Sequence, residues 1–179
     1  LASNQVSCFL KGSDGRLWMG FNNIFLNAVT GNMSVVKKYP FPPAENRDWV
    51  FKLIEDRKGD LWIFTYSGHK IYRIAYGDER IREFTFNDNK LNKSLSDGFN
   101  DVCLDNKSRL WFGPQFGNEV FVYDLVNKTT RYYGAAAGLK LPFGDECMGI
   151  SEDSKGRIWL LFLMNGLFLY DPDTELFTK

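Results

Sequence analysis

Short apolar runs alternate with turn residues along the whole chain, and no stretch sustains a helical period. The clearest set lies at 49–55, 60–66, 69–74 and 80–86. It is broken by Asp56-Arg57-Lys58-Gly59, by Ser67-Gly68 and by Tyr76-Gly77-Asp78-Glu79. Runs of this length, rich in β-branched and aromatic residues and bounded by Gly, Asp and Ser, predict strands joined by tight turns. The same order recurs at 5–10, 16–20, 23–27 and 33–39, then at 99–104, 109–113, 119–123 and 129–133. It recurs again at 146–151, 157–163, 166–170 and from 176 onward. Ala135-Ala136-Ala137 predicts a half-turn inside a loop and no more.

One phrase marks the second strand of each set: Gly15-Arg16-Leu17-Trp18, Gly59-Asp60-Leu61-Trp62, Ser108-Arg109-Leu110-Trp111 and Gly156-Arg157-Ile158-Trp159. The tryptophans are spaced 44, 49 and 48 residues apart. A repeat of about 40–50 residues built from four strands predicts an all-β fold of β-propeller blades. The expected architecture is four four-stranded antiparallel meanders, an arc or fragment of a larger propeller, with repeats at about 1–40, 41–87, 88–134 and 135–179. Trp18, Trp62, Trp111 and Trp159 are assigned to packing between blades, where each ring buries about 150–250 Å². The glycines at 15, 59 and 156 suit a turn that needs positive φ, and Ser108 in that place predicts a different turn. Asp56, Asp105 and Asp153 each stand six residues before a tryptophan and can accept hydrogen bonds from the turn backbone. Repeat 1 has Gly12 there, so it lacks that brace.

Lysines and arginines number 22, as do aspartates and glutamates, so the net charge is zero. Such a chain has no electrostatic footprint for nucleic acid. No apolar run reaches the roughly 18–20 residues of a membrane span. Aromatic content is 16%, which suits sheets packed face to face through large side chains. The chain starts at Leu1 and breaks off in mid-pattern, which reads as a piece of a longer protein. Any membrane attachment would lie in missing parts. Cys8, Cys103 and Cys147 show no CxxC spacing and read as buried free thiols.

Repeat 4 carries the pattern in full: Asp153-Ser154-Lys155-Gly156-Arg157-Ile158-Trp159, then Gly166-Leu167-Phe168-Leu169-Tyr170-Asp171, then Thr174 and Phe177. This resembles the two-component regulator propeller repeat, the periplasmic sensor region of hybrid two-component histidine kinases of the Bacteroidetes type. Phe64 and Leu161 depart from the glycine common after the tryptophan, and Asn27 and Ile74 from the aspartate that ends the third strand. The resemblance implies a periplasmic module that senses glycan-derived oligosaccharides and is not itself catalytic.

No catalytic set emerges. His69 is the single histidine and reads as an exposed turn residue, so a multi-histidine metal site is excluded, and no cofactor is expected. Asp145-Glu146 could serve general acid–base chemistry, but reads first as solvated loop charge. The connections between sheets are long, at 40–48, 87–98 and 134–145, and long loops on one face of a rigid scaffold are the usual place for recognition. That face gathers Arg47, Asp48, Trp49, Tyr66, Asn100, Asp101, Gln115, Asp145 and Glu146 as candidate ligand contacts, with an oligosaccharide or other small molecule as the partner. The apolar outer faces of repeats 1 and 4, if the arc stays open, invite a homodimer. The alternatives are a protein-interaction scaffold and a propeller lyase or glycoside hydrolase.

Overall fold

Strands form where the apolar runs fall, and they pair as four antiparallel meanders. The computed structural model describes residues 5–22, 25–29, 32, 35–41, 48–67, 69–141 and 145–179, without the side chains of Val35 and Val36. Sheet 1 comprises β1 (Val6–Lys11), β2 (Leu17–Phe21), β3 (Phe25–Val29) and β4 (Val35–Pro40). Sheet 2 comprises β5 (Val50–Glu55), β6 (Leu61–Thr65), β7 (Ile71–Ile74) and β8 (Arg82–Glu83). Sheet 3 comprises β9 (Phe99–Leu104), β10 (Arg109–Pro114), β11 (Val120–Asp124) and β12 (Thr130–Tyr133). Sheet 4 comprises β13 (Cys147–Glu152), β14 (Ile158–Phe162), β15 (Gly166–Asp171) and β16 (Leu176–Thr178). The starts expected at 23 and 33 lie outside the described residues. The chain divides into two compact units, Leu1–Thr85 and Phe86–Lys179, each holding two sheets.

The turn before each tryptophan is a small machine of its own. Gly15, Gly59 and Gly156 have φ of 81°, 80° and 76°. Ser108 has φ 62°, so it adopts the same left-handed turn rather than the different one its side chain suggested. Its N–H donates to Asp105 O at 3.0 Å, as Gly59 and Gly156 donate to Asp56 and Asp153. The aspartate carboxylate then receives two more turn N–H groups. Asp105 Oδ1 accepts from Lys107 N at 2.9 Å and Arg109 N at 2.8 Å. Asp56 and Asp153 do the same with Lys58 and Asp60, and with Lys155 and Arg157. The second oxygen takes the indole N–H. Trp62, Trp111 and Trp159 Nε1 donate to Asp56, Asp105 and Asp153 at 2.9, 2.8 and 3.0 Å. That bond to Trp159, with Arg157 and turn N–H groups adding to it, holds the Asp153 carboxyl well below the usual carboxylate range.

An arginine closes each assembly. Arg109 and Arg157 bond the aspartate through Nε and lie over their tryptophan rings at 5.3 and 5.6 Å. In repeat 2 the residue before Leu-Trp is Asp60, and Arg73 of β7 fills the role instead. It bonds Asp60 at 2.5 Å and lies 5.6 Å over Trp62. Cation–π geometry of this kind adds about 0.5–2 kcal/mol.

Within each compact unit the two sheets are fitted by glycine. A Cβ on Gly20 would meet Val50 Cγ1 at 2.7 Å, and one on Gly113 would meet Cys147 Sγ at 2.5 Å. The absent side chains let the first strand of the next sheet approach. Trp18 packs with Tyr39, Val50, Leu53 and Ile63. Trp111 packs with Tyr133, Ile150, Ile158 and Tyr170. A glutamate at the end of the second sheet's first strand reaches back to the first sheet's turn. Glu55 accepts from Ser13 N at 2.9 Å and from the Ser13 hydroxyl. Glu152 accepts from Asn106 N at 2.9 and 3.0 Å.

Two expectations change. The segment 87–98 is not a plain loop, because Asn89–Ser96 forms helix α1. Asp88 caps it by accepting from Leu91 N at 3.0 Å, and Leu91 and Leu95, four apart, are buried. The outer face of repeat 1 is mixed: Met19, Phe21 and Val29 form a buried cluster with Leu17, while Phe9 and Phe25, paired opposite Met19 and Phe21, are exposed. The far face of sheet 4 does expose Leu161 and Leu167, with Trp159 half-buried. The expected half-turn at Ala135–Ala137 is a short 3₁₀ helix. β8 is only two residues long where 80–86 was expected, although Phe84 N still donates to Ile71 O at 2.8 Å.

Trp111 is fully buried and Trp159 is not. Trp111→Ala should therefore cost about 3–5 kcal/mol in chemical denaturation, and Trp159→Ala less than half as much.

Candidate functional site

The loops joining one sheet to the next meet the second-to-third-strand turns at one end of the strands. In the N-terminal unit that junction is held by Asp48, two residues before β5 and only 7% exposed. Its Oδ1 accepts from Trp49 N at 2.8 Å and Ser67 N at 2.7 Å, latching the turn to the start of the strand. Tyr66 N donates to Trp49 O at 3.1 Å. This pairing sets the two rings side by side, stacked at 4.6 Å with planes 11° apart. Phe51 stands edge-on to Tyr66 at 6.2 Å, and His69 lies 6.4 Å away. Trp49 keeps 36% of its surface exposed, so the stack presents a face to solvent.

His69 is half-buried rather than exposed, with φ 46°. Burial pushes its pKa down, and the Asp48 carboxylate opposes that shift. The imidazole is thus neutral at pH 7 and contributes a flat, uncharged ring to the edge of the cluster.

The C-terminal unit repeats the latch with other residues. Asp145 is fully buried, and its oxygens accept from Met164 N at 2.9 Å and Asn165 Nδ2 at 2.8 Å. Glu146 stands where Trp49 stands in the other unit, since Leu163 N donates to Glu146 O at 2.9 Å. Its carboxylate accepts from Asn100 Nδ2 at 3.2 Å. Asp101 ties sheet 3 to sheet 4 by accepting from Ile150 N at 2.8 Å, and its other oxygen takes Val102 N. Gln115 N donates to Gly98 O at 3.0 Å, and its side chain lies where a Cβ on Gly98 would sit 2.4 Å from Oε1.

The sequence-predicted residues therefore sort by what their polar atoms already do. Asp48 and Asp145 brace loops, Asp101 ties one sheet to the next, and Asp145 has no surface for a ligand. Trp49 and Tyr66 come together as one platform, and Asn100 and Glu146 as one polar pair. Arg47 lies outside the described residues. Phe51 and His69 were not read as partners of the platform. The signal was there in part, because Phe51 follows Trp49 by two and so shares its side of the strand.

Among the described residues no group of three or more His, Cys, Asp or Glu is placed to hold a metal ion, and no helix is long and apolar enough to cross a membrane. The three cysteines are free thiols. Burial pushes Cys8 up to about 11 and Cys147 up to about 12, so both stay protonated at neutral pH.

Residues 1–23 match the two-component regulator propeller family, so the first repeat carries that family's pattern. Solved structures place the fold. An extracellular domain from B. thetaiotaomicron, described as that of a hybrid two-component system, is similar at a TM-score of 0.67 and 20% identity, over 97% of this chain and 22% of that one. Virginiamycin B lyase from Staphylococcus aureus is similar at a TM-score of 0.69 and 19% identity, over 97% of this chain and 54% of that one. The Neurospora crassa Pan2 WD40 domain is similar at a TM-score of 0.68 and 14% identity, over 98% of this chain and 49% of that one. The chain thus spans about a fifth of that extracellular domain and about half of the other two. The fold is all-β, of propeller blades. No curated protein sequence matches the chain.

The braces and the platform should separate in mutagenesis. Asp145→Ala removes the buried acceptor of Met164 N and Asn165 Nδ2 and should cost about 1–3 kcal/mol in thermal or chemical denaturation. Trp49→Ala should cost under about 1.5 kcal/mol, the worth of an exposed stacked pair.

Proposed function

We propose that the chain is part of an extracytoplasmic ligand-sensing propeller of a hybrid two-component signalling protein, responding to a glycan-derived oligosaccharide and not catalytic itself. The observation that carries this reading is the Trp49–Tyr66 stack, open to solvent at the loop end of the strands. A flat aromatic surface takes the C–H face of a pyranose by apolar contact. Neighbouring loop groups then have hydroxyls to bond. The family match of the first repeat and the fold shared with extracellular two-component domains support the setting. In this reading the chain belongs in the periplasm, and a histidine kinase lies elsewhere in the parent protein.

A second reading, a propeller lyase, takes support from the fold shared with the S. aureus enzyme. A histidine-to-alanine variant of that enzyme is described as catalytically inactive. Here the one histidine, His69, is neutral and held at the edge of an aromatic cluster.

Calorimetry of the intact extracytoplasmic region against a panel of host and plant oligosaccharides tests the reading. Saturable binding that weakens about tenfold in Trp49→Ala, with no product released from any glycan, is the expected outcome. Absence of binding across the panel would overturn carbohydrate sensing, and product formation lost in His69→Ala would favour the lyase.

A further inference from the structure

Three of the four repeat tryptophans have their indole N–H satisfied by the aspartate six residues earlier. Trp18 does not. The ring is buried, and no aspartate of its own turn accepts from Nε1. The position that would carry the carboxylate is Gly12, where a Cβ would stand 3.0 Å from Trp18 Nε1 and 3.1 Å from Glu55 Oε2. Trp18 Nε1 is not among the buried polar atoms left without a partner in the described residues, so the N–H reaches an opening in front of it where a ligand can accept.

That opening is a cavity of about 360 Å³ at the short-turn end of sheets 1 and 2, away from the loops described above. Its volume falls within the about 300–1,000 Å³ of small-molecule sites. Trp18, Tyr39 and Tyr76 supply aromatic wall, and Asp14, Arg16, Glu55, Asp78 and Glu79 supply polar rim. Tyr76 is 76% exposed and lies across Gly59, where a Cβ would sit 2.6 Å from its ring. The charges already have partners: Arg16 pairs with Asp14 at 2.5 Å, Lys37 with Glu79 at 2.5 Å, and Arg82 with Asp78 at 3.2 Å. Glu55 holds the Ser13 turn.

We infer that this cavity binds a neutral polyhydroxylated ligand of monosaccharide size. The chemistry discriminates among occupants. Arg16, Lys37, Arg80 and Arg82 balance the rim's four carboxylates, so a charged ligand gains no net attraction there. An ammonium cannot accept the Trp18 N–H. A sugar hydroxyl accepts from the indole and donates to the free lone pairs of Glu55 or Glu79, while the ring's C–H face rests on tyrosine. The site is separate from the Trp49–Tyr66 platform and does not rest on the function proposed for it.

The test follows the indole N–H resonances of the ¹⁵N-labelled chain during titration with glucose, galactose, mannose, xylose, maltose and cellobiose. Sodium acetate and ethanolammonium chloride serve as charged probes. At least one sugar should move the Trp18 resonance saturably. Tyr76→Ala should weaken that response about tenfold. The pair Gly12→Asp with Asp14→Lys gives repeat 1 the Asp-Ser-Lys-Gly-Arg turn of repeat 4 and should abolish the response while cooperative unfolding is retained. A response confined to the Trp49 resonance, an unchanged response in the double variant, or saturation only by acetate or ethanolammonium would overturn the inference. So would no response to any sugar.

Discussion

A tryptophan placed between two β-sheets brings the largest apolar surface of any side chain and one N–H that must find an acceptor. Leaving that donor unmet costs about 1–3 kcal/mol, enough to cancel much of what the ring's burial contributes. The chain answers by putting an aspartate six residues earlier, at the corner of the preceding turn. One carboxylate then accepts two or more backbone N–H groups with one oxygen and the indole with the other. Turn shape, strand register and ring position are fixed together. A one-residue slip would send the ring to the other face and leave the carboxylate without its donor.

Pairing between sheets follows from that anchor. With the ring held, the residue two positions on decides how closely the next sheet comes. Gly20 and Gly113 admit it, and the corresponding Phe64 and Leu161 do not carry that gap. Glu55 and Glu152 then return a carboxylate to the neighbouring turn. These contacts fall inside the two compact units. At the opposite end of the strands Asp48 and Asp145 latch loop to strand, leaving the variable residues beside them, Trp49 and Glu146, to differ in chemistry. Rigid braces and divergent neighbours are what allow one scaffold to carry different recognition surfaces.

The sheets were legible in sequence because each side chain's preference agreed with the fold: apolar strand runs, left-handed glycines and a periodic tryptophan. The turn aspartates were legible as backbone acceptors. Their bond to the indole was not, since it depends on a ring six residues away folding back over the turn. Helix α1 was missed because two leucines and a capping aspartate make too short a pattern to exceed a loop background. Ser108 was misread because the turn's hydrogen bonds outweigh the modest cost of positive φ in a non-glycine residue. The candidate site was legible as a region but not in its roles. Sequence cannot separate a carboxylate that braces a loop, as Asp145 does, from one that faces solvent.

The central claim is that the aspartate and the tryptophan act as one energetic unit. A double-mutant cycle of Asp105→Ala with Trp111→Phe, read by equilibrium denaturation, measures that directly. A coupling of about 1.5–3 kcal/mol, the worth of a hydrogen bond to a charged group, is the result this account requires. Additive losses, with a coupling near zero, would contradict it.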